Sequence, residues 1–329
     1  MTHSVTVPET EVDLVIVGAG PTGLYAAYYA GFRSMRVALV DSLPSPGGQI
    51  AALFPEKPIY DVAGFVTVKG QDLVGSLLAQ AQQWDPLLFM EETVVDVMDL
   101  DDGLDVTMAS GRRIRAKAVL ISGGIGTFTP RPLPTGSEYE GRGLRYFVPR
   151  LDELADQDVV VVGGGDSALD WALALEPLAR SVHLVHRRPA FRAHERSVDQ
   201  LRSSRVQVWT PYELHKVAGD DRVEEVVIIN KDGATQHLEV QAVVAALGFI
   251  ADLGPLTEWG LELRRRRILV DRTMRTSRQR IFAAGDIAEY DGKVRLISIG
   301  FGEAASAVNH IAPLVNPELS VTPGHSTDA

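Results

Sequence analysis

Two glycine-rich hexapeptides, each directly behind an apolar run, are where this sequence could do chemistry. Gly18-Ala19-Gly20-Pro21-Thr22-Gly23 follows Leu14 to Val17, and Gly163-Gly164-Gly165-Asp166-Ser167-Ala168 follows Val159 to Val162. Each apolar run predicts a buried parallel strand. Each glycine run predicts a tight turn opening a helix, where backbone N–H groups and the positive end of the helix dipole can hold a pyrophosphate. The two modules close on opposite charge. After the first helix, the predicted strand Arg36 to Val40 ends in Asp41. A carboxylate there can accept hydrogen bonds from an adenosine ribose and would repel a 2′-phosphate. After the second, Val182 to Val185 ends in His186-Arg187-Arg188, and two planar guanidiniums suit a 2′-phosphate through bidentate hydrogen bonds. Gly18, Gly20, Gly23 and Asp41 therefore read as an FAD site. Gly163, Gly165, Asp166, Ser167, Arg187 and Arg188 read as an NADP(H) site, and the pair is the pattern of a flavoprotein reductase.

Hydride transfer from a nicotinamide to a flavin needs no protein acid or base, because the cofactors carry the chemistry. No general acid or base is assigned, and His186, His194 and His325 are given no such role. Cysteine is absent, which excludes disulfides, thiolate metal sites, cysteine nucleophiles and a dithiol redox relay; no metal site is expected. The net charge of −11 argues against a nucleic-acid binder. No apolar run is long enough to span a bilayer. The polar segment Met1 to Asp13 lacks the basic and apolar regions of a secretory signal, so the expected compartment is the cytoplasm.

The elements that must position these residues alternate between strand and helix patterns, as an α/β doubly wound fold requires. Pro21 to Phe32 and Gln71 to Trp84 read as helices. Thr93 to Met98, Leu104 to Met108 and Ala118 to Ser122 read as strands. Asp41 to Gly64, rich in Pro and Gly, reads as an ordered functional loop. Boundaries fall around Gly123 to Pro134 and near Gly248, with the whole second dinucleotide module between them. The stretch after Gly248 holds a hairpin (Leu261 to Thr273), Ala283-Ala284-Gly285-Asp286, and a helix from about Ser298 to Ala312. It completes the first domain rather than starting a third. The expected architecture is two Rossmann-like dinucleotide-binding domains of three-layer ββα type: an FAD-binding domain of residues 1–124 and 247–329, and an NADP(H)-binding domain of residues 125–246 inserted into it.

A wider set of motifs carries a family resemblance. The set comprises Leu43 to Gln49 (Leu-Pro-x-x-Gly-Gly-Gln), Phe54 to Lys57, Tyr60 to Phe65, Gly163 to Ala172, His186 to Arg188, Phe191 to Glu195, Ala283 to Asp286, Gly300 to Ala304 and His325 to Thr327. Together they resemble the thioredoxin-reductase-like (type 2) ferredoxin/flavodoxin–NADP⁺ reductases. The resemblance implies a homodimer with one non-covalent FAD per subunit, ferredoxin or flavodoxin as partner, and a hinge between the domains. It implies FAD contacts from Thr22, Asp41, Gln49, Phe54, Val94, Phe128, Asp286 and Thr327, with Phe54 and His325 stacking on the flavin. Relatives often carry Tyr where this chain has Phe54, and the chain ends two residues after Thr327. The helix after Ser298 is expected to aim its positive end at the flavin pyrimidine ring.

Arg264 to Arg280 contains eight arginines and one acid, Asp271. It reads either as a solvated strand face or as a docking patch for an acidic electron carrier. The alternatives to a carrier reductase are an NADPH diaphorase or quinone reductase of the same fold, a thioredoxin-reductase-like enzyme (disfavoured without cysteine), and a redox-sensing flavoprotein.

Overall fold

The computed structural model describes residues 10–53, 55–124 and 126–323 of the chain. Its contacts gather into two compact units: one of Met1–Ala52, Pro58–Thr127 and Ala251–Ala329, the other of Leu53–Lys57 and Phe128–Ile250. The chain passes between them inside two short strands, Thr127–Pro130 and Phe249–Asp252, that pair with each other. The units part at 127/128 and 250/251, three and four residues beyond the expected bounds at 124/125 and 246/247.

The first unit is built on a sheet ordered Leu87–Met90, Val37–Asp41, Thr10–Val17, Arg113–Ile121, Gly103–Met108, Val94–Leu100. The first four strands are parallel and the last two form an antiparallel meander. Arg113–Ile121 serves two neighbours along one edge. Its first half pairs antiparallel with Leu104 to Thr107, and its second half pairs parallel with Ile281–Ala283. The strands are apolar at successive positions because both faces are covered. Leu14, Ile16 and Leu39 pack against helices α1 (Pro21–Phe32), α3 (Gly70–Gln82) and α6 (Ile297–Val315). Val15, Ala38, Val40 and Val119 face a second β layer together with Trp259 and Ile268. Each fully buried Leu or Ile contributes about 1.5–3 kcal/mol.

Local chemistry sets these helices. Pro21 occupies the first turn of α1, where its missing N–H costs nothing. Gly23, Ala26, Ala27, Ala30 and Gly31 form its buried side, letting the helix lie close on the sheet. A short helix, α2 (Gly48–Leu53), sits within the Pro/Gly-rich loop. α6 runs past Ala312 through Pro313, and Asn316 N–H still reaches the Ala312 carbonyl at 3.0 Å. Among the described residues no helix is long and apolar enough to cross a membrane.

The second unit repeats the plan. Leu144–Arg145, Ala242–Ala246, Asp158–Gly163, Ser181–Val185 and Gln207–Trp209 form, in that order, a parallel sheet. Helix α4 (Asp166–Leu175) and α5 (Glu195–Ser203) pack on one face through Leu169, Trp171, Leu175 and Leu201. The antiparallel sheet of Tyr212–Ala218, Glu225–Asn230 and Thr235–Glu239 covers the other through Leu214, Val226 and Ile228. Pro177 follows the end of α4, as a residue without an N–H should.

The same substitution should act with opposite sign at two glycines. A Cβ at Gly23 would collide with the Gly18 carbonyl oxygen, whereas one at Gly75, exposed within α3, meets nothing within 4 Å. Gly23→Ala is expected to destabilise the fold by about 1–3 kcal/mol. Gly75→Ala is expected to stabilise it by about 0.5–1 kcal/mol. Urea midpoints of the two variants check both.

Candidate functional site

The first glycine loop leaves the carboxyl end of Thr10–Val17. Gly18 has φ +109°, and its absent side chain lets it pass within van der Waals contact of the Ser122 backbone. Ser122 Oγ donates to the Gly18 carbonyl at 2.9 Å. Gly23 is required by the close approach of α1 to that same carbonyl. Gly20 differs from both. Its φ of −69° and ψ of −179° are open to any residue, and among the described residues a Cβ would meet nothing closer than 4.0 Å. Neither packing nor backbone geometry among the described residues calls for a glycine there, and the position leaves the N-terminus of α1 accessible. Gly47 N–H donates to the Ala19 carbonyl at 2.8 Å. Gly48, at φ +56°, lies so near that a Cβ on it would fall 2.9 Å from the Gly20 Cα.

Asp41 ends the neighbouring strand, half-buried beside this loop. Its Oδ2 accepts from Ala19 N–H at 2.6 Å and its Oδ1 from Leu43 N–H at 2.8 Å. Burial pushes its carboxyl up, and these two backbone hydrogen bonds oppose the shift. Each oxygen keeps a further lone pair for a hydroxyl donor. Gln49, on α2, brings its Nε2 to 3.2 Å from where a Gly124 Cβ would lie, at the end of Arg113–Ile121. Asp286 arrives from the far end of the chain. The pairing of Ile281–Ala283 with Val119 to Ile121 carries it to the same sheet edge, in the single turn Gly285–Ile287. Its side chain is exposed between two buried neighbours. Thr22 packs against Gly285 and Gly300, where a Cβ on either would press on its Oγ1. Val94 is 4% exposed with its side chain in the core, so only its main chain can meet a ligand. Phe54, His325 and Thr327 lie outside the described residues, as does the side chain of Phe128.

Sequence reasoning gave no role to a cluster behind Asp286. Glu303, 5% exposed on α6, accepts from Gly285 N–H at 2.8 Å and from Tyr290 Oη at 2.6 Å, and it pairs with Lys293. Burial first, then the hydrogen bond and charge of Glu303, pushes the Tyr290 phenol up to about 12. The one local signal was an acid within the otherwise uncharged run Gly300-Phe301-Gly302-Glu303-Ala304. Ser298, in the first turn of α6, donates to the Asp61 carbonyl at 2.7 Å and so ties that helix end to the Tyr60 to Phe65 segment.

In the second unit the three glycines divide in the same way. A Cβ at Gly163 would collide with the Ala246 carbonyl, and one at Gly164 with the His186 ring. Gly165, with φ −103° and ψ −178°, has its nearest such atom at 3.9 Å. It is again open both sterically and conformationally. Asp166 begins α4, but its Oδ1 is engaged by His194 N–H at 2.9 Å; Ser167 is half-buried beside it. His186 stacks on Phe191 with ring centroids 5.5 Å apart. Its Nε2 is buried without a partner among the described residues. Burial, and then the charges of Arg187, Arg188 and Arg192, hold the imidazole below its usual range, against a hydrogen bond with the Ala190 backbone. Arg187 and Arg188 are exposed, with no ion pair among the described residues, so both guanidiniums can receive an anion. A dinucleotide phosphate fits this donor set and the orphaned ring nitrogen.

Three of the eight arginines in the arginine-rich stretch pair with acids of the first unit. Arg264 pairs with Glu289 at 3.1 Å and Asp291 at 3.0 Å, Arg278 with Asp99 at 2.9 Å, and Arg280 with Asp102 at 3.3 Å. Arg267 donates to the Asp286 carbonyl at 3.1 Å. Acids outside the stretch thus offset part of its local charge. Among the described residues no cluster of three or more His, Asp or Glu could hold a metal.

The pyridine nucleotide-disulphide oxidoreductase family matches residues 12–304 of this chain. The ferredoxin–NADP reductase of Frankia alni is 58% identical over 95% of this chain and 98% of its own. That of Saccharopolyspora erythraea is 57% identical over 97% and 98%. Among solved structures, T. acidophilum thioredoxin reductase superposes with a TM-score of 0.80 at 25% identity, covering 92% of this chain and 98% of its own. Lactococcus lactis thioredoxin reductase follows at 0.79 and 25%, covering 92% and 99%.

The two open glycines yield a paired expectation. Gly20→Ala should leave the unfolding midpoint of the apoprotein unchanged and weaken FAD binding by about tenfold or more, read by flavin fluorescence titration. Gly165→Ala should likewise spare the fold and weaken NADPH binding alone.

Proposed function

This chain belongs to the ferredoxin–NADP reductases of the pyridine nucleotide-disulphide oxidoreductase family, and from that membership we propose that it carries electrons between NADP(H) and ferredoxin through FAD held in its first unit. The observation that carries the reading is the opposite charge closing two otherwise similar modules: the Asp41 carboxylate on one, the exposed guanidiniums of Arg187 and Arg188 on the other.

FAD, when bound, accepts an electron pair as hydride from NADPH and passes electrons on singly. The residues of the chain bind and orient. Gly18, Gly20 and Gly23 admit the FAD pyrophosphate to the start of α1, and Asp41 accepts from the adenosine ribose. Thr22, Gln49, Asp286 and the Val94 main chain contact the flavin half, and Phe54, Phe128, His325 and Thr327 complete the site as the resemblance implies. Gly163, Gly165, Asp166 and Ser167 receive the NADP(H) pyrophosphate, with Arg187 and Arg188 on the 2′-phosphate. No side chain is asked to move a proton. The assignment places FAD with residues 1–124 and 247–329 and NADP(H) with residues 125–246.

The names of the relatives support ferredoxin as carrier; flavodoxin in the same role, a homodimer and a cytoplasmic setting follow from the family resemblance. The thioredoxin reductases that share the fold act on a disulfide, for which this chain, with no cysteine, has no dithiol to offer.

Two measurements test the proposal. NADPH-driven cytochrome c reduction should depend strongly on added ferredoxin and fade with salt; equal turnover without ferredoxin would instead identify a diaphorase. Arg187→Ala with Arg188→Ala should raise KM for NADPH by about tenfold or more while leaving KM for NADH nearly unchanged, and equal effects on both would remove these residues from the 2′-phosphate site.

A further inference from the structure

Three segments of the first unit meet on one buried carboxylate. Glu303 faces Gly285 N–H, the Tyr290 hydroxyl and the Lys293 ammonium, and the Lys293 side chain is only 2% exposed. Burying an ion pair loses more hydration than its attraction reliably returns, and an apolar pair of similar volume is often as stable. Stability alone therefore does not account for these charges.

The group held by Glu303 is more informative. Gly285 has φ +79° and directly precedes Asp286. Thr22 presses on Gly285 from α1, and Arg267 Nε holds the Asp286 carbonyl at 3.1 Å. The turn is thereby fixed from three directions, while the Asp286 side chain is left exposed. We propose that Glu303 is a positioning residue for the flavin nucleotide: it presets the Gly285–Asp286 turn before the cofactor arrives, and Lys293 and Tyr290 hold its carboxylate in place. The proposal rests on the reading of Asp286 as an FAD contact.

Two double variants separate the acceptor from the charge. Glu303→Gln with Lys293→Met removes both charges and keeps a carbonyl for Gly285 N–H. Glu303→Leu with Lys293→Met removes the carbonyl as well. FAD affinity of the first should stay within about threefold of the parent and that of the second should fall by about thirtyfold or more, each read on apoprotein shown to be folded by a cooperative unfolding transition. Equal affinity in both would overturn the proposal. Hydrogen exchange on the unaltered chain gives a second arm that needs no variant to fold. The Gly285 amide should be protected to the same degree with and without FAD, and protection gained only with FAD would overturn the proposal. Asp286→Ala is the separate control. If it binds FAD like the parent while Gly285 stays protected, the contact reading has failed, and the proposed role falls with it.

Discussion

The parallel pairing of Ile281–Ala283 with Val119 to Ile121 is the contact on which the first unit depends. It closes the sheet across the whole second module, with Ala284 N–H donating to the Ile121 carbonyl at 2.9 Å. Joining chain ends so far apart carries an entropic cost that grows only slowly with loop length, and fully buried Ile281, Phe282 and Ala283 offset it. Three things follow from this one junction. Asp286 comes to the sheet edge where Gly18 begins the first loop. Thr22 acquires its packing partners, Gly285 and Gly300. The acid of α6 reaches the backbone of the turn it braces.

The glycines of the two fingerprints have different physical duties. Gly18, Gly23 and Gly163 relieve collisions with backbone, and Gly164 makes room for the His186 ring. Gly20 and Gly165 relieve no close contact among the described residues. Such a division separates the glycines that hold the strand–helix turns together from those that leave the helix N-termini accessible. It also explains why modules with so little sequence in common share a geometry: the strand–turn–helix is set by packing, and the charge at the end of the following strand is free to vary between Asp41 and Arg187-Arg188.

The arginine-rich stretch shows how far charge read along a sequence can depart from charge in space. Arg264, Arg278 and Arg280 meet Glu289, Asp291, Asp99 and Asp102, two of which, Asp99 and Asp102, lie far outside any window drawn around the stretch. Exposed pairs of this kind contribute only about 0.2–1 kcal/mol each. Their larger effect is on potential: they offset part of a run of like charge that looks uninterrupted along the sequence.

The sequence by itself determined the doubly wound class, the cofactor types and the absence of dithiol chemistry, because each is written in contiguous residues. A strand, its turn and its helix obey local rules of period and backbone conformation, and cysteine is counted rather than folded. Only the tertiary structure decided which glycines are open, where the arginines spend their charge, that Val94 offers its main chain alone, and that Glu303 braces the turn before Asp286. Those facts depend on pairs such as Gly285 with Thr22 and Glu303 with Lys293. Their partners are set by sheet register and helix packing, and neither residue of such a pair carries a mark of the other in its own neighbourhood of the chain.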